Sequence, residues 1–182
     1  MSTILATTTP VLIALIGFLF TYIHTRRLQR RNDRLAWLNR QLGELYGPLF
    51  TLSESARISY QTFVKRHPGA VEDGPLWDAP TREFTRDWQQ WMAHAFQPTN
   101  RRMAELLLDH GDLLVDESVP VCISTFLAHV ASYEVLLQAW ERDESSELLA
   151  AVDYPPTFTT YVADNYGALK QRQARLIGRQ TA

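Results

Sequence analysis

The chain has 182 residues, enough for one domain of ordinary size with a real hydrophobic core. Eighteen Lys and Arg against twenty Asp and Glu leave a formal charge of -2, which excludes a globally basic, polyanion-seeking protein. The single cysteine, Cys122, has no partner for an internal disulfide, which sets aside a disulfide-built extracellular domain and any cysteine-based metal motif.

The charge is unevenly placed. Through Arg34 the chain carries five arginines and one aspartate, while the remainder carries thirteen basic and nineteen acidic side chains. The N-terminal part is therefore +4 and the rest -6. A body of that sign repels a phosphate backbone, so no nucleic-acid partner is expected.

The first 25 residues contain no Asp, Glu, Lys or Arg, and their most apolar part is VLIALIGFLF, residues 11–20. Ile4 to Ile23 is a run of twenty residues, which as a helix rises about 30 Å, the thickness of a bilayer core. Thr7, Thr8 and Thr9 suit its outer end, and Pro10 suits a kink or the first turn of a shorter helix. A cleaved signal peptide needs its positive charge before the apolar run, whereas here Arg26, Arg27, Arg30, Arg31 and Arg34 come after it. The run is apolar on every face, unlike an interfacial helix. The reading is a single-pass anchor in the plasma (inner) membrane, with the N-terminus outside and the basic flank and body cytoplasmic. The five arginines then mark topology and contact anionic lipid headgroups in the bilayer surface field.

Leu28, Leu35, Leu38, Leu42, Leu45, Leu49 and Leu52 form a seam at heptad spacing. It either zips two chains together or is the buried edge of the first body helix. Trp37, Tyr46 and Phe50 widen the stripe as a core face requires, which favours the buried edge. Gly47-Pro48 predicts a kink or break. A second helix is expected from about Pro48 to His67, and after it a Pro- and Gly-containing loop over residues 66–80 in which Trp77 is the apolar anchor.

More helices are expected beyond the loop. Thr81 caps a segment carrying Phe84, Trp88, Trp91, Met92, Ala95 and Phe96, and Pro98 ends it or starts the next, which carries Met103, Leu106, Leu107 and His110. A turn at His110-Gly-Asp is packed down by Leu113 and Leu114. A helix from about Pro120 to Trp140 presents Cys122, Phe126, Val130, Tyr133, Leu136, Leu137 and Trp140. A last helix spans about Thr157 to Ile177 and stops at Gly178 behind Lys170, Arg172 and Arg175. The expected fold is all-α: a single N-terminal transmembrane helix continuing into a cytosolic antiparallel helical bundle. Its divisions are residues 1–25 as anchor, 26–47 as a basic juxtamembrane helix, 48–178 as bundle and 179–182 as tail.

Chemistry is thinly signalled. The histidines are His24, His67, His94, His110 and His129, with no pair at the i,i+4 spacing of a helical zinc site. Glu105, Asp109, His110 and Asp112 fall within eight residues and suffice for a cation only if another helix contributes. His129 and Tyr133 lie one turn apart with Glu134 beside them, and His94 approaches either group only across a bundle. The ordinary reading of His129 is a buried imidazole bonded to a neighbouring helix. The ordinary reading of the carboxylates is a solvated helix end. No glycine-rich phosphate loop or nucleophile elbow occurs, and no cofactor is expected.

The expected function is an accessory, scaffolding or regulatory module of a membrane-associated assembly, non-catalytic, with a protein partner or self-association. The alternatives are a metal- or haem-binding bundle using His94 or His129, and a membrane-associated defence or toxin effector.

Overall fold

A computed structural model describes residues 2–70, 80–142 and 152–178; side chains are described from residue 15 onward, residue 16 excepted. Trp77, the acidic residues Asp143 and Glu144, the side chains of the threonines before Pro10 and the 179–182 tail lie outside this description. The described residues form helices and no strand. In chain order these are α1 (Ser2–Arg40), a π-helical segment (Gln41–Tyr46), α2 (Gly47–Arg66), α3 (Arg82–Trp91), a second π-helical segment (Met92–Phe96), α4 (Gln97–Asp109), a 3₁₀ turn (Gly111–Leu113), α5 (Val121–Glu141) and α6 (Pro156–Gly178). The chain divides into two compact units, Met1–Asn39 with Arg172–Ala182, and Arg40–Gln171.

The larger unit is the helical bundle. The expected interruption at Gly47-Pro48 is a widened turn rather than an end of the helix. Proline has no N–H to donate, and its ring presses on the carbonyl four residues back. The π segment re-routes the bonding, so that the Gly47 N–H bonds Leu42 O, five residues back, and Pro48 falls in the first turn of α2. The same solution recurs at Gln97-Pro98: Gln97 N–H bonds Met92 O, and Pro98 falls in the first turn of α4. Two prolines thus produce two one-residue expansions of otherwise continuous helices.

α3 begins at Thr81 as its sequence requires. The Thr81 backbone is extended, and its hydroxyl accepts the Phe84 N–H at 3.1 Å, with Glu83 in the first turn. α2, α3 and the second π segment close on one aromatic core. Phe63 is fully buried, with the rings of Trp88, Phe84, Trp91 and Phe96 at 5.3, 5.7, 5.9 and 6.2 Å. Burial of these large rings, with edge and tilted contacts that suit their quadrupoles, is the main cohesive term here. α5 and α6 meet through Phe126 and Phe158, stacked at 4.0 Å. Phe50 of α2 stacks on Tyr166 of α6 at 4.5 Å.

Leu42, Leu45 and Leu49 are buried within this single chain, so this stretch of the leucine seam serves the bundle itself. Trp37, expected in the core stripe, is exposed. Its neighbour Leu38 is buried, and one step along a helix turns the side chain by about 100°, which carries Trp37 off the face that Leu38 presents. Tyr60 is likewise exposed, and Cys122 is only half-buried.

Among the described residues, one helix is long and apolar enough by composition to cross a bilayer, α5, with a mean hydropathy of 1.3. It supplies Ile123, Phe126, His129, Val130 and Tyr133 to the bundle interior. The apolar run of α1 begins among residues whose side chains are outside the description.

Candidate functional site

The acid and imidazole candidates separate into different environments. His94 and Asp109 are exposed. Glu105 is exposed and pairs with Arg102 on its own helix at 2.9 Å. His110 and Asp112 do come together, but around the charges of the first π segment. His110 Nδ1 lies 4.0 Å from Glu44 Oε2, Arg40 lies 3.2 Å from the same carboxylate, and Asp112 lies 3.8 Å from Arg40. Arg40 thus occupies the position between the carboxylates that a cation would take. No group of three or more His, Cys, Asp or Glu with metal-holding geometry occurs among the described residues.

His129 is buried where α5 faces the segment before α6. Its Nδ1 lies 2.9 Å from the Val152 carbonyl, which only accepts, so Nδ1 carries the proton. The rings of Tyr133 and Tyr154 meet the imidazole edge-on at 4.9 and 5.4 Å. Burial holds the imidazole pKa below its ordinary value, against the opposing pull of the Val152 carbonyl and Asp153. Burial likewise raises the Tyr133 phenol. Both groups are therefore held neutral at pH 7. Glu134 does not join them. It receives a two-pronged Arg101 guanidinium at 2.9 Å and the Gln97 amide at 2.7 Å, and Arg101 holds its pKa below the usual carboxylate range.

Two more networks have no counterpart in the sequence pattern. Gln97, fully buried in the first turn of α4, also donates from Nε2 to the Val130 carbonyl at 2.9 Å, while its Oε1 is buried with no hydrogen-bond partner among the described residues. Tyr46 accepts the Val115 N–H at 3.2 Å and meets the Tyr161 hydroxyl at 3.0 Å, and Tyr161 donates to Asp116 at 2.6 Å. Gln41 reaches the Leu113 carbonyl at 3.0 Å. These bonds tie the first π segment to the loop after α4 and to α6. A hint existed in the sequence: Gln97 and Arg101 are spaced i,i+4, so both reach one carboxylate. The acceptor itself is remote and had no local signal.

The arginine stretch lies in the smaller unit. Leu15, Phe18, Leu19, Phe20, Tyr22 and Ile23 of α1 are all exposed immediately before it. The Arg26 guanidinium sits over the Tyr22 ring, 4.9 Å from its centre. Arg27, Arg30 and Arg34 are exposed. Arg31 is half-buried and donates to the Leu176 carbonyl near the end of α6.

The fold and these sites define the class: an all-helical bundle with a separate unit of apolar and basic helix. Compared with known proteins, the chain matches no family model, no curated protein and no solved structure.

Proposed function

We propose that the chain is a single-pass, membrane-anchored helical module whose acidic bundle works on the cytoplasmic side as an accessory or scaffolding subunit of a membrane-associated assembly. The observation that carries this reading is the run of exposed apolar side chains from Leu15 to Ile23 on α1, in a stretch of 25 residues without Asp, Glu, Lys or Arg that is followed by five arginines from Arg26 to Arg34. Six large apolar or aromatic side chains left in water on one helix form a patch that a bilayer covers. The arginines beyond them belong on the cytoplasmic side. α5 is the weaker candidate for a span, since it buries His129 in the bundle and its Glu134 is ion-paired to Arg101.

The accessory role is supported by where the polar side chains go. His129, Gln97, Tyr46 and Tyr161 hold one helix or loop to another, the work of a rigid platform. The anchor is tested by alkaline carbonate extraction of membranes carrying the full chain. The wild-type chain stays in the pellet, and Leu15→Arg with Leu19→Arg, at about 3 kcal/mol each in an apolar core, releases it. A reporter fused after Ala182 that reads outside the cytosol overturns the orientation. Affinity isolation of the detergent-solubilised chain tests the assembly: a stoichiometric second protein is expected, and recovery of the single chain alone counts against the role.

A further inference from the structure

We propose that the exposed face of α5 pairs, antiparallel, with the same face of α5 in a second copy of the chain. This deepens the scaffolding reading by naming a self-association surface, and it rests on the membrane anchor for the local concentration it needs.

α5 is apolar on more sides than the bundle uses. Only 28% of its most apolar part is buried, and between Val121 and Trp140 its one formal charge, Glu134, is paired with Arg101. A surface helix ordinarily turns charged residues to water opposite its buried stripe. Here the positions turned to water ahead of Glu141 are Val121, Ser124, Ala128, Ala131, Val135 and Gln138. Val121 is 79% and Val135 68% exposed. Ser124 Oγ donates to the Val121 carbonyl at 3.0 Å, so its hydroxyl is satisfied within the helix.

The spacing points to the occupant. The six positions are separated by 3, 4, 3, 4 and 3, the period of a coiled-coil seam, and the series is the same in reverse. A face with that symmetry is complementary to itself about a two-fold axis, the condition for an isologous dimer. With the axis between Ala128 and Ala131, Ala128 of each copy meets Ala131 of the other, Ser124 meets Val135, and Val121 meets Gln138. Small residues then lie at the centre, where the two backbones come closest, and small stands against large on either side. The same register brings Arg142, just past the end of α5, to the exposed Glu117 ahead of its start. A parallel pair would instead set Glu117 against Glu117 and Arg142 against Arg142. A bilayer is the poorer cover, because Asp116, Glu117 and Glu141 at the ends of the stripe are repelled by anionic lipid. The seam is about 26 Å long and about 10 Å wide, well under the ~800 Å² per partner of a standard interface. Two copies held in one membrane meet at a far higher effective concentration than in solution, which offsets the small area.

The test is disulfide crosslinking in membranes that carry two differently tagged full-length chains, both with Cys122→Ser. One copy carries Ser124→Cys and the other Val135→Cys, and a disulfide joining the two tags is expected. Copies that all carry Ser124→Cys are expected to stay uncrosslinked, since this register sets those thiols about 16 Å apart. Ala128→Arg, which brings two guanidinium groups together beside the axis, lowers the mixed yield by about tenfold, and near-UV circular dichroism verifies that the variant is folded. Crosslinking of Ser124→Cys with itself in preference to the mixed pair overturns the antiparallel register. If no disulfide forms, Ala131→Cys shielded from a water-soluble maleimide gives the face to another protein or to lipid, and a reactive thiol shows it uncovered; either result overturns the dimer. Failure of the anchor is read separately: carbonate releases the chain, and the mixed disulfide returns when the released chain is concentrated.

Discussion

Gly43 and Gly47 lie one turn apart, and the fold predicts opposite signs for the same substitution at each. A Cβ built on Gly47 stands 2.4 Å from the Leu42 carbonyl oxygen, whereas nothing lies within 4 Å of one on Gly43. The clashing atom is backbone and is also the acceptor of the Gly47 N–H, so relief requires opening the turn that accommodates Pro48. Overpacking of this kind costs about 1–3 kcal/mol, and the gain in helix propensity on leaving glycine, about 0.5–1 kcal/mol, offsets only part of it. At Gly43 the propensity gain stands alone. For a chain of this size 1 kcal/mol moves Tm by about 2–4 °C. Gly47→Ala is therefore expected to lower Tm by several degrees and Gly43→Ala to raise it by a smaller amount. The assay is thermal unfolding of the full chain in detergent, monitored by near-UV circular dichroism of its tryptophans. A Gly47→Ala chain as stable as the wild type would show that the π turn does not depend on this close approach, and the account of both prolines would fall with it.

Phe63→Ala should destabilise the bundle by about 3–5 kcal/mol, because four rings lose a fully buried partner, and urea unfolding reads this as a lower midpoint at unchanged slope. Thr81→Ala should cost about 1 kcal/mol and Thr81→Ser almost nothing, since the cap needs the hydroxyl that receives the Phe84 N–H; equal losses in thermal melts would disprove the cap. Tyr46, Tyr133, Tyr154 and Tyr161 all have phenols raised above 10.0, in each case first by burial. Their neutral forms favour the folded state, so this stability is complete below pH 10 and is lost as pH rises beyond it. Absorbance at 295 nm should therefore show these four ionising together with unfolding. The imidazole of His129 has the opposite sign of shift: its contribution is complete above pH 6.5 and fades on acidification, and His129→Gln should flatten that limb of the stability curve.

Much of the architecture was legible from local pattern. The Thr81 cap and the start of α5 behind Pro120 arise from hydroxyl and ring chemistry carried by the residues themselves. Phe84, Trp88, Met92 and Phe96 recur at helical spacing and are buried as a set. Other features have no local signature. Pro48 and Pro98 forbid a regular turn, but whether a helix breaks or widens depends on what packs on both sides of it. Glu134 was placed beside His129 by sequence and beside Arg101 and Gln97 by the packing of α4 on α5.

The charge map shows the same division. That the N-terminal arginines oppose an acidic body is a property of composition, visible without any coordinates, because net charge along a chain needs only counting. That the end of α6 joins the same unit is not, because the bonds from Arg31 to Leu176 and from Gln173 to Asn39 join the two ends of the chain. Side chains on one helix are related by its period, and those on two helices are related only by how the helices pack.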